Sequence, residues 1–62
     1  MKTKICLVED KQIIKKYESS IIPDNNEIIV LNSKDYKVLN RKYILDDKGL
    51  DSILLNVVEV EV

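Results

Sequence analysis

Ser52-Ile53-Leu54-Leu55-Asn56-Val57-Val58-Glu59-Val60-Glu61-Val62 is the stretch that decides the fold of this chain. It is free of glycine and proline, rich in branched apolar residues, and alternates with a period of two, which is the pattern of a β-strand. Ile53, Leu55 and Val57 share one face. Val58, Val60 and Val62 share the other, with Glu59 and Glu61 turned away from those valines. The phase therefore switches at Val57-Val58. A strand shows such a switch when it bends through a β-bulge and serves two sides of a barrel, or when both of its faces are covered.

The same features recur upstream. Asp47-Lys48-Gly49-Leu50-Asp51 holds the chain's only glycine, suited to a positive φ in a hairpin loop. Before it, Tyr36 to Asp46 reads as a long strand with its own change of phase: Tyr36 and Val38 on one face, Leu39, Arg41, Tyr43 and Leu45 on the other. Asn32-Ser33-Lys34-Asp35 is a turn that follows a short strand, Glu27 to Leu31. In Ile22-Pro23-Asp24-Asn25-Asn26-Glu27, Pro23 fixes φ and removes a donor, and Asn25 and Asn26 tolerate left-handed backbone. The first two strands, Lys2 to Glu9 and Gln12 to Ser20, form a hairpin about Asp10-Lys11. The absence of alanine weighs against helix. The expectation is an all-β chain whose residues 1–62 form a single domain, a five-stranded meander closing into a small SH3-like barrel or partly open roll.

Composition narrows the function. A domain of 62 residues buries only about 60% of the surface its unfolded chain exposes. A core this thin needs help from disulfides, metal or association. One cysteine and no histidine set the first two aside. A homo-oligomer is thus expected, a dimer first. Ten basic and eleven acidic residues, net charge −1, argue against a broad nucleic-acid-binding face. The apolar run Ile5-Cys6-Leu7-Val8 is too short for a signal sequence or membrane span. With a lone thiol, this points to the cytoplasm and to no membrane partner.

Ordinary catalysis fails on inventory. Without histidine there is no common triad, and Cys6 lies inside an apolar strand, where a thiol packs and stays inert. Asp46, Asp47 and Asp51 surround Gly49, but a calcium loop of EF-hand spacing would need oxygen ligands at Ile44 and Lys48, so they read as a turn. Glu59 and Glu61 read as a solvated strand face. No catalytic residue, metal or cofactor is expected. One pattern remains. Lys15 and Tyr17 share a face of the second strand, Arg41 and Tyr43 share a face of the fourth, and Lys16 and Lys42 lie beside them on the opposite faces. A guanidinium fork with an aromatic plate is suited to a phosphate and a base. The bland alternative is that lysine and arginine guard exposed strands.

Ile22-Pro23-Asp24-Asn25-Asn26-Glu27, Ile29, Tyr36-Lys37-Val38 and Arg41-Lys42-Tyr43 together resemble the layout of small uncharacterised SH3-like β-barrel proteins encoded by phages and mobile elements. Such proteins often carry glycine where Asn26 stands, and asparagine also enters the left-handed region. The resemblance covers nearly the whole chain and brings no established site residues. It implies a phage-type, non-enzymatic binding module in the host cytoplasm, such as an anti-defence inhibitor that occupies a host protein or a sponge for a small nucleotide signal. The alternative is a structural or assembly component that uses its β-edges within a larger complex. A nucleic-acid-binding barrel ranks third.

Overall fold

The computed structural model describes Thr3 to Glu61, all in strands, turns and loops. The strands are β1 (Thr3–Glu9), β2 (Gln12–Ser19), β3 (Ile28–Leu31), β4 (Lys34–Asp46) and β5 (Gly49–Val60). They form one five-stranded sheet, curled into a half-barrel, in the order β2-β1-β5-β4-β3. The fold is the all-β, partly open roll read from the sequence, and three details differ. The flanking positions Lys2 and Val62, expected in the first and last strands, lie outside the described residues.

First, the chain meanders through β3, β4 and β5 and through β1 and β2, but not from β2 to β3. The connection Ser20–Glu27 instead carries it from one edge of the sheet to the other, and β1 lies parallel to β5, with Ile5 opposite Ile53 and Leu7 opposite Leu55. Period-two patterning sets which face is buried but does not choose neighbours, so the pairing was open at the level of sequence.

Second, two of the turns, those after β3 and β4, are tighter than expected. Lys34 and Asp35 belong to β4, which leaves a two-residue loop, Asn32-Ser33, at φ 52° and 65°. Asp10-Lys11 has the same form, at φ 51° and 63°. Positive φ at both central residues is the type I′ geometry, whose twist matches the strands it joins. Gly49, at φ 124°, opens β5 directly after Asp47-Lys48. In the proline loop only Asn26 of the two asparagines is left-handed, at φ 70°. Glu27 N donates to Asp24 O at 3.2 Å, so Asn26 is the third residue of a type II turn. Asn26 N donates to Val38 O and Val38 N to Glu27 O, so two residues face one, which is a bulge that joins the turn to β3.

Third, the phase switch in β4 is a bulge, and the one in β5 is not. Val38 faces Val57 and Asn40 faces Asn56, which leaves Leu39 as the extra residue. Tyr36 and Val38 precede it on the core face, and Arg41 and Tyr43 return to that same face after it. The expectation of opposite faces is corrected, because one inserted residue reverses the alternation. At Val57-Val58 the register runs on unbroken. Val58 and Val60 accordingly project from the back of the sheet, and Val58 is exposed. Further irregularities fall at Ile14 of β2 and Asp51 of β5.

The core lies inside the curl. Ile5, Leu7, Val38, Ile53 and Leu55 are at most 1% exposed, joined by Tyr36 and Val57. Ile14, Tyr17, Ile22, Ile29 and Leu31 pack on it from the edges and the connection. Cys6, on the back of the sheet, is a buried free thiol. Because Ser33 occupies left-handed backbone where glycine is unstrained, Ser33→Gly makes the preferred Asn-Gly turn and should stabilise the fold by about 1 kcal/mol. An upward shift of the urea midpoint at constant slope is the expected result.

Candidate functional site

The register across the sheet brings the four candidate residues to one face. Tyr17, Ile5, Ile53 and Tyr43 form one cross-strand row, and Lys15, Leu7, Leu55 and Arg41 form the next. Each row therefore has the apolar β1–β5 pair at its centre and a polar or aromatic residue at either end. Between them, on the back of the sheet, runs a third row: Lys16, Cys6, Leu54, Lys42. The tripeptides Lys15-Lys16-Tyr17 and Arg41-Lys42-Tyr43 thus stand at the same height on β2 and β4, on either side of the buried pair.

Sharing a face does not make them one pocket. β2 and β4 are three strand spacings apart, roughly 14 Å along the sheet. The floor between them, Ile5, Leu7, Ile53 and Leu55, is covered almost completely. The site is therefore two separate pairs. In one, Arg41 lies with its guanidinium carbon 5.9 Å from the centroid of the Tyr43 ring, within cation–π range. In the other, Lys15 is exposed and Tyr17 is half-buried against the core. Burial raises the Tyr17 phenol above its ordinary value of 10.0 by desolvating the anion.

Arg41 already has an anion. Asp24 Oδ1 of the proline loop sits 3.3 Å from Arg41 Nη2. Asp24 is held there by the turn it starts: its Oδ1 also accepts from Asn25 N at 2.8 Å, and Glu27 Oε1 accepts from Asp24 N. Sequence reasoning missed this partner. Nothing in local spacing marks it, since Asp24 and Arg41 meet only because the Asn26 bulge docks the turn beside Val38.

The remaining candidates have structural roles. Asp46 Oδ1 accepts from Lys48 N at 2.8 Å and so closes the turn before Gly49. Glu59 pairs with Lys34 at 3.7 Å, while its N–H donates to Glu9 Oε1 at 3.2 Å. That ion pair lies in an open cleft lined by Ser33, Lys34, Asp35, Glu59, Val60 and Glu61, which contains none of the four candidates. Among the described residues no three carboxylate or thiol side chains gather as metal ligands. Among the described residues no helix is long and apolar enough to cross a membrane.

The edges of the sheet carry a signal that side-chain chemistry did not. β2 is guarded by Lys15, Lys16 and the Ile14 bulge. β3, Ile28-Ile29-Val30-Leu31, has no charge, proline or bulge within it, and Ile28 and Val30 are 51% and 68% exposed. Comparison of the chain with family models, curated proteins and solved structures finds no significant match.

The Tyr17 environment sets a pH dependence. A raised folded-state value means that the fold prefers the neutral phenol. Its contribution is fully present below about pH 10 and is lost as the pH rises through the raised value. Tyr17→Phe removes this titration. The urea midpoint of the unsubstituted chain should fall relative to that of the variant between pH 9 and pH 11, and a constant difference would refute the assignment.

Proposed function

We propose that this chain is a non-enzymatic binding module that works by contact at an open strand edge. It would serve either as an assembly component or as an inhibitor that occupies a protein. The observation that carries this reading is the unequal treatment of the two edges. An edge strand exposes unpaired N–H and C=O groups, and proteins ordinarily blunt them with lysine, proline or bulges. β2 carries two of those devices and β3 none. An unguarded apolar edge is the surface used in β-augmentation, where backbone hydrogen bonds give affinity and alternate side chains give selectivity. The buried state of Cys6 and the absence of histidine support contact without turnover. The phage-type setting implied by the sequence layout fits an inhibitor directed at host defence.

Amide exchange of Ile28 and Val30 tests the edge. A blocked Thr-Val-Thr-Val-Thr-Val peptide at millimolar concentration should slow both amides of the monomeric protein by about tenfold or more, while its N-methylated form leaves them unchanged. Equal exchange with both peptides would remove β3 from the function.

A second reading, sequestration of a small nucleotide, is favoured by the Arg41–Tyr43 stack. A phosphate reaching Arg41 must displace Asp24. On this reading a cyclic or linear nucleotide raises the melting temperature, Asp24→Asn increases the shift, and Arg41→Ala or Tyr43→Ala abolishes it. No shift in either the unsubstituted chain or Asp24→Asn would eliminate it. A co-purifying nucleotide would also dominate the absorbance near 260 nm, since the chain has three tyrosines and no tryptophan.

A further inference from the structure

We infer that the strand accepted at the β3 edge is β3 of a second copy, paired antiparallel about a two-fold axis through Ile29, so that two half-barrels join into one ten-stranded sheet. The inference rests on the strand-edge reading above and names the partner.

The ladder fixes which backbone groups are free. Val38 N donates to Glu27 O at 3.0 Å, and Ile29 and Leu31 face Tyr36 and Lys34 across the β3–β4 hairpin. Hydrogen-bonding groups alternate along an antiparallel strand. Those of Glu27, Ile29 and Leu31 therefore point to β4, and those of Ile28 and Val30 point away from the sheet. In a two-fold pairing centred on Ile29, Ile28 stands opposite Val30 of the second copy, and Val30 opposite its Ile28. Each is a hydrogen-bonded pair, so all four outward groups on each copy are satisfied at once. Centring the axis on Val30 would form only one such pair and set Ile28 against Asn32.

Charge selects the same register. On the back of the sheet Ile28 lies beside Lys37, and Val30 beside Asp35. With the axis at Ile29, the row across the junction reads Lys37, Ile28, then Val30 and Asp35 of the second copy, opposite charges closing an apolar centre. With the axis at Val30, the two Asp35 residues would end one row. On the core face Ile29 meets Ile29 of the second copy, which extends the apolar lining that Ile29 and Leu31 already share with the core. Each Glu27 meets Leu31 of the second copy, next to its Lys34. Both exposed residues of β3, Ile28 and Val30, are covered by the junction. β2 is barred from the same use by its lysines and bulge, so assembly stops at two.

Sedimentation equilibrium from micromolar to millimolar protein should show a monomer–dimer equilibrium. Val30→Pro removes only an outward donor, which an edge strand tolerates, and should weaken association by at least about tenfold. Val30→Lys, whose ammonium faces Asp35 of its own chain, is the second variant and should do the same with an unchanged circular-dichroism spectrum. In a Cys6→Ala background, Ile29→Cys should form an interchain disulfide on mild oxidation, faster than Val30→Cys. A strict monomer at millimolar concentration, a dimer indifferent to both Val30 variants, or faster cross-linking at position 30 would each overturn the inference. A strict monomer whose Ile28 and Val30 amides are still protected by the strand peptide sinks the second copy alone. Absence of both association and peptide protection sinks the strand-edge reading with it.

Discussion

The parallel pairing of β1 with β5 is the constraint on which the rest of the structure depends. It places Ile5 and Leu7 against Ile53 and Leu55, and these four residues, along with Val38, are the most completely covered large side chains among the described residues. Parallel strands are stable only when well covered. Here the cover comes from everything else: β2 and β4 flank the pair, and Ile22 of the edge-to-edge connection packs on the core from inside the curl. The pairing also joins residues near the two ends of the described chain. Closing so long a loop costs entropy before any contact repays it, whereas the β1–β2 and β4–β5 hairpins close locally.

Much of this architecture was legible in the sequence because it is local. Asp10-Lys11, the Gly49 loop and the proline turn are marked by residues that accept left-handed backbone, and alternation marks the strands between them. What was illegible is what distance decides. Alternation assigns each residue a face, but nothing in Ile5-Cys6-Leu7 names Ile53-Leu54-Leu55 as its neighbour rather than the strand next in sequence. The Leu39 bulge shows the limit most clearly. The change of phase was visible, yet its effect was inverted: one inserted residue puts Arg41 and Tyr43 on the face of Tyr36 and Val38 instead of the opposite one. In β5 a similar change of phase records apolar residues on both faces, and the strand runs straight through it.

The candidate site shows the same division. Lys15, Tyr17, Arg41 and Tyr43 were found by residue type, and the register aligns them in adjacent rows, a relation no spacing within one strand contains. Asp24 was invisible because its meeting with Arg41 depends on the left-handed Asn26 and the bulge at Glu27. That contact alters what the rows mean. The Arg41 guanidinium is already engaged by a carboxylate held on an ordered turn and lies over the Tyr43 ring, so an incoming anion meets a paired charge and not a free one. On the back of the sheet the register sets Lys16 and Lys42 at the two ends of the row that holds Cys6 and Leu54.

The half-barrel stays open for a geometric reason, and that reason leads back to contact. Closing it would require β2 to pair with β3, yet β2 has eight residues and β3 four, β2 is bulged at Ile14, and the connection between them packs Ile22, partly buried, against the core. The two edges cannot satisfy each other, and they differ in character. Selection against edge pairing acts on every exposed strand, and the contrast between an apolar, unguarded edge and a guarded one is what the proposed strand-edge contact rests on. In a chain with so small a core, such a contact would also have a stabilising side. A strand bound at β3 would satisfy the outward groups of Ile28 and Val30 and cover side chains that the single chain leaves in water, so binding and folding would reinforce each other by mass action.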